Sequence, residues 1–483
     1  MWTKSGWSIW VAIAGFYAPA GWVQLPALAE PTLIAQQSDS GAADASLQRG
    51  MELLREGTAE SLRAAIPYFE EAARLYEQTG DRANQAFAQL ALGRVYSDLG
   101  EKQQALEYYE QALPLFQAVG DRSREATTLN NIGRVYSALG EKQTALEYYE
   151  QALPLRREVG DRSGEATTLN SIGGVYSALG EKQTALEYYE RALPLRREVG
   201  DRSGEATTLY NIAFLQRSQG SLTEALANME QAIGLIEELR SLAPSGELRQ
   251  TFFSTVQDRY QFYIELLMQL HQQNPQKGYD AIAFHASERS RARTLLELLR
   301  EANADIRQGV DPELVAEERR LQQKLDAAET RRLEIFGDDN STRTQKENIQ
   351  AELTELLKQY EEIRARIRAA SPRYAALTQP QPLTLVDVQQ QVVDEETVLL
   401  QYSLGEESSY LWVVTPTEMT VHELPGREEI EAKADDFLYA ITSVTRRDNP
   451  RWVNAAAREL SEMILQPAAD HLQKKRLLIS ADG

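Results

Sequence analysis

ATTLNNIGRVYSALGEKQTALEYYEQALPLRREVGDRSGE, residues Ala126–Glu165, decides the fold, because residues 166–205 repeat it with changes only at Asn131/Ser171, Arg134/Gly174 and Gln151/Arg191. A looser copy precedes the pair at Ala86–Glu125, and another follows at Ala206–Ser245. A forty-residue period predicts an array of helical pairs, each covering its neighbour's apolar face. Within the block, Leu129, Ile132, Gly133 and Tyr136 share one face of a first helix, which Gly140 stops. Ala145, Tyr149 and Ala152 make the buried face of a second helix, and Asp161 is placed to cap the next one. Small residues at Gly133, Ala145 and Ala152 mark where the two helices must approach closely.

This order of residues resembles the tetratricopeptide repeat (TPR) family. Leu129, Ile132-Gly133, Tyr136, Gly140, Ala145, Tyr149 and Ala152 follow the family pattern, and Leu169, Ile172-Gly173, Tyr176, Gly180, Ala185, Tyr189 and Ala192 follow it again. The earlier copy keeps Leu92-Gly93, Tyr96, Gly100, Ala105, Tyr109 and Ala112, while the later one is degenerate at Ala213, Gln216 and Met229. The period and the LNN string look like the long-helix repeats of kinesin light chains. A further degenerate unit reads at Ser46–Gln85, so about five repeats span residues 46–245. The resemblance implies a mainly α fold, a superhelical solenoid whose concave face binds a protein or peptide partner. Residues placed on that face are Asn130, Asn131, Arg134, Asn170, Ser171, Tyr210, Asn211 and Phe214. In the resembling families, Asn at this place grips a ligand's backbone, since an amide both donates and accepts. On that reading, Ala at Asn130, Asn131 and Asn170 weakens partner capture and leaves thermal unfolding unchanged. The alternative is that these amides only solvate a groove.

Outward from the repeats, the N-terminal stretch MWTKSGWSIWVAIAGFYAPAGWVQLPALAE reads as an export signal. Lys4 gives a positive start, Ile9–Ala18 is apolar, and Ala27-Leu28-Ala29 is a small-x-small cut site before Glu30. The rival is an uncleaved membrane anchor over Trp7–Ala29. Either reading puts the bulk of the chain outside the cytoplasm, periplasmic or extracellular. Residues 30–45 read as a polar linker.

The formal net charge of −21 argues against nucleic-acid binding, because phosphate neutralisation needs surplus Lys and Arg. The absence of cysteine excludes a disulfide, a thiolate metal site and a Cys nucleophile. His285 and Glu288 share a helical face but lack a third ligand, so no metal or other cofactor is expected. His422-Glu423 and His471 offer no nucleophile elbow or phosphate loop beside them.

On the C-terminal side, residues 246–303 read as a two-helix extension, with Arg289, Arg291 and Arg293 on a salt-bridged solvent face. Residues 311–369 read as an antiparallel coiled-coil hairpin. Its seam is Leu314, Leu321, Leu325, Ala328 and Ile335 against Ile349, Leu353, Leu356, Tyr360, Ile363 and Ile367. Its role is a spacer or docking arm, or a homodimer contact. Composition shifts at Ser371-Pro372, and strand-like runs follow at Thr397–Leu404, Ser409–Thr415 and Thr420–Leu424, then two helices and a buried-strand run in RLLISADG.

ASERSRARTLLELL (286–299), SPRYAALTQPQPLTLVDVQQ (371–390), LLQYSLGEESSYLWVVT (399–415) and KKRLLISADG (474–483) together resemble cyanobacterial proteins that join TPR repeats to a CHAT domain, a caspase-like α/β module. In that family a strand ending in a turn like Asp482-Gly483 opens the main sheet, and the catalytic His and Cys follow in Thr-His-Gly and Ser-Ala-Cys-x-Thr-Gly strings. Neither string occurs in this sequence, so no residue inherits a catalytic role. Residues 371–483 are therefore expected to be the incomplete start of a CHAT-like domain; the alternative is a small complete α+β domain. The functional expectation is an exported recognition module of a TPR–CHAT cysteine peptidase, without activity of its own. A self-sufficient adaptor is the second reading and an independent hydrolase a remote third.

Overall fold

The computed structural model describes residues 30–242, 246–301, 310–337, 343–371, 382–443 and 450–481. Residues 1–29, read as the export signal, lie outside them, as do the Pro372–Pro380 linker region and Asp482-Gly483. The chain divides into two compact units, Met1–Asp121 and Arg122–Gly483.

In the first unit, α1 (Glu30–Glu56) pairs with α2 (Ala59–Thr79), and α3 (Arg82–Asp98) with α4 (Lys102–Val119). The linker expected at residues 30–45 is helical instead, as part of α1. Ala43 is fully buried, and the Tyr76 hydroxyl donates to Asp44 at 2.6 Å. Small side chains let a polar-looking segment pack, and that does not register as hydrophobic periodicity.

The second unit opens with the repeats: α5 (Arg122–Leu139) with α6 (Lys142–Glu158), α7 (Arg162–Ala178) with α8 (Lys182–Glu198), and α9 (Arg202–Ser218) with α10 (Leu222–Leu242). A Cβ on Gly133 would meet the Tyr149 ring at 2.9 Å, so only glycine allows α5 and α6 to come this close. Gly140, at φ +89°, turns the chain between them. Asp161 caps α7 as expected, accepting from the Gly164 amide at 2.8 Å. It does more: the buried Arg156 guanidinium pairs with Asp161 and donates to Thr127 at 2.8 Å, tying α6 to both α5 and α7. Arg196 repeats this with Asp201 and Thr167. Tyrosines 136 and 148, and again 176 and 188, stack with centroids 5.5 Å apart.

Helices α11 (Gly246–Gln273) and α12 (Tyr279–Glu301) close the repeat series. Arg259 of α11 donates to Thr207 at 2.9 Å, reproducing on α9 the bond that Arg196 and Arg156 make one and two repeats earlier. Next come α13 (Pro312–Gly337) and α14 (Arg343–Ala370), whose seam residues form a core of their own. Arg331 pairs with Glu352 near the turn, and Glu317 with Arg366 at the far end, so the two helices run antiparallel.

The remaining elements are α15 (Leu385–Gln391), β1 (Thr397–Ser403), β2 (Ser408–Val414), β3 (Met419–Pro425), α16 (Arg427–Thr442), α17 (Pro450–Ile464), a short 3-10 turn at Gln466–His471, and β4 (Arg476–Ser480). The sheet order is β3-β2-β1-β4, with β1 antiparallel to β2 and parallel to β4. Successive side chains of a strand point to opposite faces. Leu399, Tyr410, Trp412 and Val414 therefore share one core with α11, α12 and the end of the repeats, including Ala206, Leu209 and Ala213 of α9. Val398, Leu400, Tyr402, Leu411 and Val413 share another with Ile430, Met463, Ile464 and Ala468.

Two expectations change here. The repeats, the helical extension and the sheet, separated in sequence at residues 245 and 371, are joined by that first core. The Arg face of α12 is salt-bridged, Arg291 to Glu288 at 3.7 Å, but Arg289 and Arg291 also reach across the fold: Arg289 pairs with Glu237 of α10 at 3.4 Å over the Tyr260 ring, and Arg291 donates to the Ser480 carbonyl at 3.3 Å, while the Arg293 side chain lies outside the described residues. The long stems of Arg289 and Arg291 cover neighbouring elements while the charges find partners across the fold. The run RLLIS does form a strand, but β4 lies at the sheet edge with Leu477, Leu478 and Ile479 exposed. Among the described residues, no helix is long and apolar enough to cross a membrane.

Candidate functional site

The eight residues placed on the binding face belong to the first helices α5, α7 and α9, which touch one another in that order. They divide into two groups. Asn130 is buried, and its side-chain oxygen accepts from the Thr168 hydroxyl at 3.2 Å. One repeat on, the Asn170 oxygen accepts from Thr208 and from the Asn211 amide, both at 3.3 Å. These amides join repeat to repeat, so their side chains take part in packing between first helices. Each such bond contributes about 0.5–1.5 kcal/mol, so Ala at Asn130 or Asn170 is expected to lower stability as well as any partner capture.

The second group faces outward. Asn131 is half-buried and Arg134 exposed. Arg134 makes no ion pair among the described residues, whereas Arg122, Arg156, Arg157 and Arg162 all have carboxylate partners. Ser171 shares a hydrogen bond with the Tyr149 phenol, which burial pushes up to about 12, and Arg134 acts on the same phenol. Position 174, equivalent to 134, carries no side chain, and a Cβ there would meet only the Tyr189 hydroxyl oxygen at 3.7 Å. Position 214 in the following repeat is Phe, 49% exposed.

Phe214 does not stand alone. Its ring lies 6.0 Å from Phe262 and 6.5 Å from Tyr210, and Tyr210 meets Phe262 edge-on at 5.3 Å. Arg259 lies over Tyr210 and Arg217 over Phe262, with Arg217 held by Glu265 at 2.9 Å. Sequence reasoning missed Phe262 and Arg259, because they come from α11, outside the repeat register. The hydrophobicity of FFSTVQDRYQFYIELL (252–267) signals a buried helix without saying what it covers.

Elsewhere, a cavity of about 260 Å³ opens beside Gln261, Ser287, Arg291, Ser403 and Arg427. Its cations are turned to the protein's own carbonyls, Arg291 to Ser480 and Arg427 to Leu404. His422, lowered by burial and by His471, lies 3.3 Å from the Thr420 hydroxyl. Among the described residues, no group of three acidic or histidine side chains is close enough to hold a metal ion.

The tetratricopeptide repeat family model matches residues 59–118, 108–158, 124–198 and 164–238, so this stretch consists of tetratricopeptide repeats. No curated protein matches the sequence. Similar solved structures include BtubC (BKLC) from P. vanneervenii, 19% identical over 44% of this chain and 95% of its own, with a TM-score of 0.33. Another is the Podosopora anserina putative kinesin light chain with nearly identical TPR-like repeats, 18% identical over 39% and 93%, with a TM-score of 0.34. The apo form of RapI is 15% identical over 68% of this chain and 99% of its own, with a TM-score of 0.41.

Proposed function

We propose that this chain is a recognition protein whose repeats bind an extended segment of a partner across α5, α7 and α9. The observation that carries the reading is the shared exposure of positions 134, 174 and 214 on three adjacent first helices, while the residues around them are spent on packing. Tetratricopeptide repeats generally bind protein partners, and the chain carries no cysteine and no catalytic constellation singled out by its sequence. The ligand face consists of Asn131, Arg134, Ser171 and Phe214, with Tyr210 behind it; Asn130, Asn170 and Asn211 act as its inter-repeat frame.

Export by the N-terminal stretch, and membership of the TPR–CHAT architecture, are part of the same proposal. Lys4, the apolar run and Ala27-Leu28-Ala29 support export. The four quoted C-terminal segments support the CHAT likeness. In that architecture the repeats recruit a protein to a caspase-like module, and the antiparallel hairpin α13–α14 acts as a spacer.

A random twelve-residue peptide library selected on the purified chain tests the binding reading. Enriched peptides are expected to lose binding to the double variant Arg134→Ala/Phe214→Ala and to keep it with Glu187→Ala, an exposed change on α8. No enrichment, or equal binding to all three proteins, overturns the assignment.

A further inference from the structure

We infer that the partner segment is an extended peptide carrying an acidic side chain about six residues from an aromatic or large aliphatic one, the acid held by Arg134 and the apolar group by Phe214 with Tyr210 and Phe262. The inference rests on the binding face proposed above and names the chemistry of its ligand.

The first support is where two nearly identical repeats differ. They keep even exposed apolar residues unchanged, Leu139 and Leu179, Val159 and Val199. Two of their three differences, 131/171 and 134/174, fall on the first-helix row. The third, 151/191, is an exposed position on the second helices. The first-helix row thus holds most of the variation between the two units.

The second support is electrostatic. The chain carries 72 acidic and 51 basic side chains, so carboxylates to neutralise an arginine are plentiful. Arg134 nevertheless stands exposed without one among the described residues. An exposed guanidinium presents a planar fork that matches a carboxylate.

The third support is the row's far end. Phe214 is half-exposed against two further rings, Arg217 is paired with Glu265, and Arg259 is buried and donates to Thr207, so the exposed part of this end is apolar. Between the two ends, Gly174 leaves room for a ligand's backbone or side chain. Packed helices lie 8–10 Å apart, so two steps from α5 to α9 cover roughly 18 Å, and an extended chain spans that in about six residues at about 3.3 Å each.

A set of synthetic twelve-residue peptides tests this. Each carries one Glu and one Phe in a Ser/Ala background, with their separation varied in both directions, and binding to the purified chain is read by fluorescence anisotropy. The expected result is a maximum at a separation of about six residues. Arg134→Ala should weaken the best peptide about three- to tenfold at low salt and by less at high salt, where the pair is screened. Gly174→Arg should add a second maximum near three residues, since the new cation stands one helix closer to Phe214. Binding that ignores the separation overturns the inference, while library peptides that still depend on Arg134 and Phe214 would leave the binding face standing. If neither peptides nor library bind, both fall.

Discussion

Leu400 of β1 and Ile479 of β4 are partners across a parallel ladder, yet Leu400 is fully buried and Ile479 is 59% exposed. In the repeats the matching comparison gives no such contrast: Leu129, Leu169 and Leu209 occupy one register in successive units and are all buried. A repeat is covered by a neighbour that carries the same surface, so one unit's sequence foretells the burial of the next. A strand is covered by whatever layer the fold brings to it. β1 and β2 have α11 and α12 on one face and α16 and α17 on the other, whereas β4 has little over either face among the described residues. Apolar runs of similar composition therefore meet different fates.

The sharpest way to break this comparison is to truncate both kinds of sheet residue. Trp412→Ala removes a fully buried ring packed on Phe284 and should cost about 3–5 kcal/mol in urea unfolding. Ile479→Ala should cost under about 1 kcal/mol, since little apolar area is lost from the interior. Equal losses would mean that β4 is covered in solution, and the contrast with β1 would disappear.

Adjacent glycines of α7 give the next largest effect, with opposite signs. A Cβ on Gly173 would stand 2.7 Å from the Tyr189 ring. Gly173→Ala should therefore destabilise by about 1–3 kcal/mol through overpacking. Gly174→Ala has open space and should stabilise by about 0.5–1 kcal/mol, because alanine loses less backbone entropy in a helix. Chemical unfolding midpoints moving the same way for both would show that α7 does not present these two positions to different surroundings. Asn130→Ala should lower stability by about 0.5–1.5 kcal/mol by removing its contact with Thr168. A melting temperature identical to that of the parent chain would return Asn130 to the ligand face.

Much of the fold is legible in the sequence for a physical reason that these comparisons expose. Leu129, Ile132, Tyr149 and the glycines at 133 and 140 are local signals: periodicity, close approach and a left-handed turn each act within one forty-residue block. The seam from Ile349 to Ile367 is equally local, and its burial follows from alternating four- and three-residue spacings. The candidate face was only half legible. Arg134 and Phe214 could be placed by helical register, but register cannot tell that Asn130 turns its oxygen to Thr168 rather than to a ligand. Nor could it show that Phe262 and Arg259 complete the aromatic end, since they lie about fifty residues from Tyr210 and Phe214 and share no period with them.

By itself, then, the sequence determined the repeats, their helix boundaries, the antiparallel hairpin, the strands and the lack of any thiol chemistry, because those depend on neighbours in the chain or on composition. The tertiary structure alone decided that Arg259 of α11 makes the bond to Thr207 that residue 236 of α10, an isoleucine, cannot make, and that Trp412 joins the sheet to the end of the repeats in one core. It also decided which polar side chains on the first-helix row remain for a partner. Those are contacts between residues far apart in sequence, fixed by which surfaces meet and not by any local preference.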